Sequence, residues 1–133
     1  TTTYLNTDRE FAGVEKFIRP NKRGHLIVPA GSARDMFMYI KKEMVDEAQG
    51  FLEKRLAGKA DVVKTEALIA DGYFGPDVSE RFLERVGNLV ILPYRYESVW
   101  WYEKEKFEMK FFGHHGGLTP QEMETVLYSM EVG

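Results

Sequence analysis

The chain has 133 residues, of which 44% are hydrophobic and 29% are charged, and it contains no cysteine. The length and these percentages are typical of one globular domain with a modest core. The absence of cysteine excludes disulfide bonds and thiolate metal sites. Glu and Lys are many and Asn and Gln are few, which favours a thermophilic source. The net charge of -3 argues against a nucleic-acid partner. The first residues lack the basic-then-apolar pattern of a signal peptide, and no apolar run approaches roughly 20 residues, so we expect a cytoplasmic protein with no membrane partner.

Residues 1–23 carry no clear pattern of secondary structure. The first ten are mostly polar and begin with Thr1, which favours a mature fragment or an excised domain, with simple loss of the initiator methionine as the alternative. We predict a mostly connecting segment. A few of its apolar side chains would make short-helix contacts, namely Phe11, Val14, Phe17 and Ile18.

Two turns frame the next short strand. Residues 20–24 contain Pro, Asn and Gly, and residues 30–35 contain Gly, Ser and Asp, which are typical turn compositions. Between them, residues 25–29 form an apolar run that ends at a proline. We therefore predict a strand at residues 25–29.

A β-α-β unit is predicted for residues 36–64. Residues 36–40 are almost entirely apolar, as in a strand that is buried on both faces. Over residues 42–56, apolar side chains recur at steps of three and four, which indicates an amphipathic helix. Gly58 ends that helix, and residues 60–64 read as the second strand.

Two short helices and a buried strand follow. Thr65 is predicted to cap the first helix. Asp77 with Glu80 is a predicted capping pair for the second helix, whose apolar face ends before Gly87. Residues 89–92 are an apolar run stopped by proline, so we predict another buried strand.

An aromatic hairpin is predicted next. Residues 98–102 and 107–111 flank a polar turn at 103–106, and the second segment alternates apolar and charged side chains. Such a hairpin could stack nucleic-acid bases, but Glu108 on its polar face and the acidic chain favour core packing.

The last predicted helix begins after a glycine-rich loop. Thr119 at the N-cap, Pro120 at the first helical position and Glu122 at the third are a strong helix start. The chain would finish on a helix or a strand that carries Val126, Leu127 and Met130. We therefore predict that residues 1–133 form a single compact α+β domain with a mixed or antiparallel sheet, a β-α-β unit, an aromatic hairpin, and helices packed on the sheet.

The glycine-rich loop contains the adjacent residues His114 and His115. Imidazole is a common zinc ligand, and neighbouring glycines let the backbone approach a metal or a phosphate closely. Two adjacent side chains on an extended backbone point in different directions, so one histidine would face a site and the other would not. Two adjacent histidines in a loop are also commonly exposed to solvent or hydrogen-bonded in the core, without binding a metal. For His25, a structural role is expected.

Residues 113–123 read Gly-His-His-Gly-Gly-Leu-Thr-Pro-Gln-Glu-Met. This segment resembles the C-terminal signature of the type I phosphodiesterase/nucleotide pyrophosphatase group in the alkaline phosphatase superfamily, in particular its archaeal and bacterial members. Residues 28–35, 71–75 and 81–93 are similar to the same C-terminal part in order and spacing, so the resemblance covers about residues 24–127.

The resemblance implies a phosphoric-ester hydrolase with a pair of divalent metals, usually zinc, and a Thr or Ser nucleophile. His115 would be a metal ligand, and His114 would be a neighbour that supports it. The family's nucleophile and its Asp-His dipeptide have no counterpart in this chain, so the N-terminal catalytic part is missing and the chain would be inactive by itself. Glu122 and Glu124 are not expected to replace the missing ligands. The alternative is a non-catalytic module that binds a partner or assembles the chain into a homo-oligomer.

Overall fold

Two sheets with helices packed against them make up the fold. The computed structural model of the chain describes residues 1–103 and 113–133. The strands are β1 (Thr2–Tyr4), β2 (Ala30–Ser32), β3 (Asp35–Met38), β4 (Ala60–Lys64), β5 (Leu89–Pro93) and β6 (Ser98–Trp100). The helices are α1 (Val45–Arg55), α2 (Thr65–Ala70), α3 (Glu80–Arg85) and α4 (Pro120–Met123).

The predicted β-α-β unit is present, with another strand between its two strands. β3 and β4 both pair antiparallel with β5, so they run in the same direction on either side of it, and α1 connects them. Ile91 of β5 lies opposite Met36 on one side and opposite Val62 on the other. The sheet has the order β2-β3-β5-β4 and is antiparallel throughout. The predicted α+β class is therefore confirmed.

The core lies between α1 and one face of this sheet. Alternate residues of a strand share a face, and those on the core face are at most 3% exposed: Met36, Met38, Val62, Leu89 and Ile91. Ala48 and Leu52 of α1 are fully buried in the same cluster. Burial of one large aliphatic side chain stabilises a fold by about 1.5–3 kcal/mol. This interface is therefore a main source of stability.

The N-terminal residues belong to the core. The predicted short-helix contacts of Phe11, Val14, Phe17 and Ile18 are confirmed, whereas the prediction of a mostly connecting segment is wrong. β1 pairs in parallel with β6. Two short 3-10 helices follow, Arg9–Phe11 and Val14–Phe17. Their apolar side chains are at most 1% exposed, as are those of Leu5 and Ile18. Short 3-10 helices bury only one or two side chains each, so they leave no long periodic pattern in the sequence.

The first strand of the four-stranded sheet lies elsewhere than predicted. Residues 25–29 are described by the structure and form no strand; Leu26 makes only an isolated bridge with Pro20. β2 lies instead in the predicted turn at 30–35. It forms a tight hairpin with β3, in which Ser32 is opposite Asp35. The polar residues that indicated a long turn are therefore strand ends.

Two helix starts also differ from the predicted ones. Thr65 is the first residue of α2, and its hydroxyl donates to the Val86 carbonyl at 3.3 Å instead of capping the helix. Ser79 caps α3 by accepting a backbone N–H bond at 3.1 Å, whereas Asp77 with Glu80 was the predicted pair. Ser and Asp are caps of similar strength, so the local sequence does not choose between them.

Only the first half of the predicted aromatic hairpin can be compared with the structure. β6 covers Ser98–Trp100 and pairs with the N-terminal strand β1. The predicted second strand, residues 107–111, lies outside the described residues. After α4, residues 124–133 adopt neither the helix nor the strand that was predicted. Within residues 1–103 and 113–133, no helix has the length and apolar character needed to cross a bilayer.

Candidate functional site

The histidine loop, residues 113–118, lies on the β2–β3 hairpin. The Ser32 hydroxyl is 3.2 Å from the carbonyl oxygen of His115, and it also contacts the Asp35 carboxylate. The same oxygen accepts a bond from the backbone N–H of Arg34 at 3.1 Å. A hydroxyl carries one proton, so Ser32 donates to only one of its two acceptors at a time. Of these contacts, only the one with the His115 carbonyl reaches the loop, and it involves the backbone and no imidazole.

Two glycines allow the loop to approach its neighbours closely. Gly116 and Gly117 have φ values of 100° and 88°, which disfavour any residue with a side chain. A Cβ atom on Gly116 would lie 2.9 Å from an oxygen of Ser32 and of Asp35. On Gly117 it would lie 2.5 Å from the Glu122 carboxylate. The local packing alone therefore explains why glycines follow the histidines.

The histidines themselves have different surroundings. His115 is exposed, and its imidazole bonds to none of the residues that the structure describes. His114 is partly buried and lines an open cleft of about 430 Å³. His25 is exposed on a separate turn, where its backbone N–H donates to Asn21 at 3.0 Å. An exposed imidazole on an anchored backbone can bind a metal without first breaking a hydrogen bond.

Arg34 and Glu122 form a largely buried ion pair beneath the loop. Nε and Nη2 of Arg34 donate to the two carboxylate oxygens of Glu122 at 2.7 and 3.0 Å. Nη1 of Arg34 donates to the carbonyl of Tyr94 at 2.7 Å and also to that of Glu97. Arg34 is only 7% exposed. A bidentate pair of this kind fixes both position and orientation.

Glu122 also caps the helix it belongs to. Its Oε2 atom accepts bonds from the backbone N–H of Thr119 at 3.1 Å and from the hydroxyl of Thr119 at 2.7 Å. The predicted helix start is therefore confirmed. The Arg34 guanidinium, with help from Thr119, lowers the pKa of the Glu122 carboxyl from 4.5 to about 2, although partial burial opposes this shift.

The described residues do not complete a metal site by themselves. No three His, Asp or Glu side chains among them come close enough to hold one ion, whereas a catalytic zinc takes about three protein ligands. Glu122 is engaged with Arg34 and Thr119, and Glu124 is exposed. The donors among the described residues therefore do not fit a whole metal centre.

The cleft beside the loop carries charges of both signs. The Arg95 guanidinium lies 4.7 Å from the ring centroid of Tyr96, whose φ of 67° is unusual for a residue with a side chain. The charged residues that line the cleft are Arg34, Arg95, Glu97 and Glu122. Because two cations face two carboxylates, these residues give the cleft no net attraction for a phosphate.

Three residues that support the loop were missed by the sequence analysis: Ser32, Arg34 and Asp35. They lie at the β2–β3 turn, where Ser32 ends β2 and Asp35 begins β3. Their contacts with the loop and with α4 join positions more than 80 residues apart, with separations of 83 for Ser32–His115 and 88 for Arg34–Glu122. Local spacing carries no information about such pairs.

The chain was compared with models of protein families, with curated proteins and with solved structures, and none of the three comparisons found a match.

Proposed function

We propose that the chain is the C-terminal portion of a metal-dependent phosphoric-ester hydrolase of the phosphodiesterase or nucleotide pyrophosphatase type. His115 is then one ligand of a divalent metal such as zinc, and residues outside this chain supply the nucleophile and the other ligands. The supporting observation is the anchored loop, which holds the His115 backbone through Ser32 and leaves its imidazole exposed. A cytoplasmic location belongs to the same proposal, and the lack of cysteine is compatible with a reducing compartment.

In this proposal the chain positions a ligand. A divalent metal, when bound, stabilises negative charge on the phosphoryl oxygens. The Ser32 contact with the His115 carbonyl and the close packing of Gly116 hold the backbone that follows the imidazole, so His115 would lose less backbone freedom when it binds. His114, on the cleft side of the loop, would be the neighbour that supports this ligand.

The test uses the complete product of the reading frame that contains these residues. We expect it to hydrolyse a chromogenic phosphodiester in the presence of zinc and to lose that activity with a chelator. His115→Ala should lower kcat/KM by at least about 100-fold, since loss of a ligand costs more than the 10- to 100-fold typical of a supporting residue. His25→Ala is the matched control, because it removes another exposed imidazole. Near-wild-type activity of the His115 variant would reject the proposal.

The alternative function is a non-catalytic binding or oligomerisation module. It is favoured by exposed apolar side chains after α4, which are Val126, Leu127, Tyr128, Met130 and Val132. An interface on the predicted aromatic hairpin would include residues 107–111, which lie outside the described residues. This alternative predicts that the complete product takes up no zinc and shows no hydrolysis, and metal analysis of the purified product distinguishes the two.

A further inference from the structure

The turn between β5 and β6 forms one wall of the cleft beside the histidine loop. The backbone N–H of Glu97 closes this turn by donating to the Tyr94 carbonyl at 3.0 Å. Nη1 of Arg34 donates to the carbonyls of the same two residues, so a buried cation holds the turn in place. Arg95, Tyr96 and Glu97 line the cleft, whose volume is about 430 Å³. This volume is typical of small-molecule sites.

The carboxylate of Glu97 has an unmet need for a hydrogen-bond donor. Its Oε2 atom is buried and accepts no hydrogen bond from the residues that the structure describes. No described lysine, arginine or histidine forms an ion pair with this carboxylate. The amino group of Thr1, which also lines the cleft, donates instead to the Tyr96 carbonyl at 2.8 Å. A buried polar atom without a partner is unfavourable, and it indicates a donor that a bound ligand, ion or water supplies.

A cation of the same turn is also unmatched. Arg95 is exposed, its guanidinium lies 4.7 Å from the ring centroid of Tyr96, and it forms no ion pair with Glu97 or with another described carboxylate. Tyr96 supports this guanidinium from a φ of 67°, a conformation that is costly for a residue with a Cβ atom. Glycine would adopt this φ without strain. The sequence therefore places a strained aromatic residue where its ring holds Arg95 beside the cleft.

We propose that this cleft binds a free α-amino acid, with its ammonium group at Glu97 and its carboxylate at Arg95. Glu97 is partly exposed and lines the cleft, so its charge is accessible from there. Arg34 and Glu122 neutralise each other, and the cleft then retains one unmatched carboxylate and one unmatched guanidinium among its described residues.

A zwitterion matches both of these charges. Charge-assisted hydrogen bonds to the two groups are stronger than neutral ones. A simple anion would meet Arg95 and be repelled by Glu97, whereas a simple amine would meet Glu97 and be repelled by Arg95. This inference goes beyond the proposed function, because neither charge belongs to the loop that carries His115.

The test is an NMR titration of the 15N-labelled chain with each of the common α-amino acids in turn. We expect at least one of them to bind with a Kd below about 1 mM and to shift the amide signals of residues 95–98. Glu97→Gln keeps the shape of the side chain and removes its charge, so it should weaken binding by at least about 10-fold. Glu84→Gln is the matched control, because it removes an exposed carboxylate on α3 and should leave the Kd unchanged.

Two analogues of the best amino acid separate the two contacts. The amine that lacks the carboxylate and the acid that lacks the ammonium group should each bind at least about 10-fold more weakly than the amino acid. Arg95→Gln should weaken binding of the amino acid to a similar extent without weakening that of the amine. Glu97→Gln should not lower the melting temperature, because the substitution breaks no hydrogen bond of Oε2 with a described residue.

Each other outcome would overturn the proposal. Failure of every amino acid to bind would do so, as would signal shifts confined to residues away from the cleft. Unchanged affinity of Glu97→Gln would remove the ammonium contact, and equal affinity for the amine analogue would show a site for amines alone. A large drop in the melting temperature of Glu97→Gln would show that its carboxylate serves the fold. Hydrolysis is not measured here, so this result and that of the His115 test stand apart.

Discussion

Arg34 and Glu122 are 88 residues apart in the sequence, and two hydrogen bonds of 2.7 and 3.0 Å join their side chains. The pair connects the β2–β3 hairpin to α4. A helix of four residues has little stability of its own, since isolated helices shorter than about 12 residues are marginal in water. The ion pair therefore determines where α4 lies, and with it the histidine loop before the helix and the apolar segment after it.

Removal of Arg34 should destabilise the domain strongly. Arg34→Ala leaves the Glu122 carboxylate without its cation and the carbonyls of Tyr94 and Glu97 without a donor. We expect the free energy of unfolding to fall by about 3 kcal/mol, measured by urea denaturation. Arg95→Ala removes an exposed arginine from the same cleft and should change it by less than about 0.5 kcal/mol. Equal effects of the two variants would contradict a special role for the buried pair.

The same pair should make stability depend on acid pH. The pKa of Glu122 is lowered from 4.5 to about 2 in the folded chain, so its contribution is complete above about pH 4.5 and is lost as the pH falls towards 2. After allowance for solvent screening, we expect this contribution to be roughly 1–2 kcal/mol. The difference in unfolding free energy between wild type and Glu122→Gln should shrink by most of that amount between pH 6 and pH 2.5, because a carboxyl with a pKa of about 2 is still partly ionised at pH 2.5. Glu124→Gln, at an exposed site, should show no such change.

The glycines of the histidine loop should not tolerate alanine. Gly116→Ala places a methyl group 2.9 Å from oxygens of Ser32 and Asp35 at a φ of 100°, so we expect a loss of about 1–3 kcal/mol in the free energy of unfolding. Gly113→Ala is the matched control in the same loop, because a Cβ atom there meets none of the described residues within 4 Å. Thermal unfolding measures both. A melting temperature unchanged by Gly116→Ala would show that the loop is not packed on the hairpin.

The N-terminal segment should be essential for folding. Phe17 is 1% exposed, and its ring centroid lies 5.2 Å from that of Phe51 on α1. Phe17→Ala should lower the free energy of unfolding by about 3–5 kcal/mol through lost burial and the cavity it leaves. Leu26→Ala, at a side chain that is 40% exposed, should cost less than about 1 kcal/mol. Denaturant titration of the two variants tests whether residues 1–23 are part of the core.

The elements predicted best are those whose pattern is continuous and local. The strand at residues 60–64 coincides with β4, and the strand at 89–92 lies within β5. The helix predicted over 42–56 is α1 preceded by the 3-10 turn Lys42–Met44. Each of these elements buries several side chains at its own period, and that repetition can be read without knowledge of the rest of the chain.

The candidate site could be predicted only in part. The cap formed by Thr119 and Glu122 can be predicted, because the two residues are only three positions apart. The two histidines and their neighbouring glycines can be read directly from the sequence. The contact of Ser32 with His115 spans 83 residues, so no local pattern predicts it. The N-terminal strand was missed for a related reason, since its partner β6 lies at the other end of the chain.

The sequence by itself determined the α+β class, the two strands and the helix of the β-α-β unit, and the start of α4, because side-chain periodicity and capping act over a few residues. Only the tertiary structure decided that residues 1–23 enter the core, that Arg34 holds Glu122, and that the His115 loop rests on Ser32 and Asp35. Those contacts depend on which distant surfaces meet, and their energy comes from burial and charge pairing that exist only after the chain has folded.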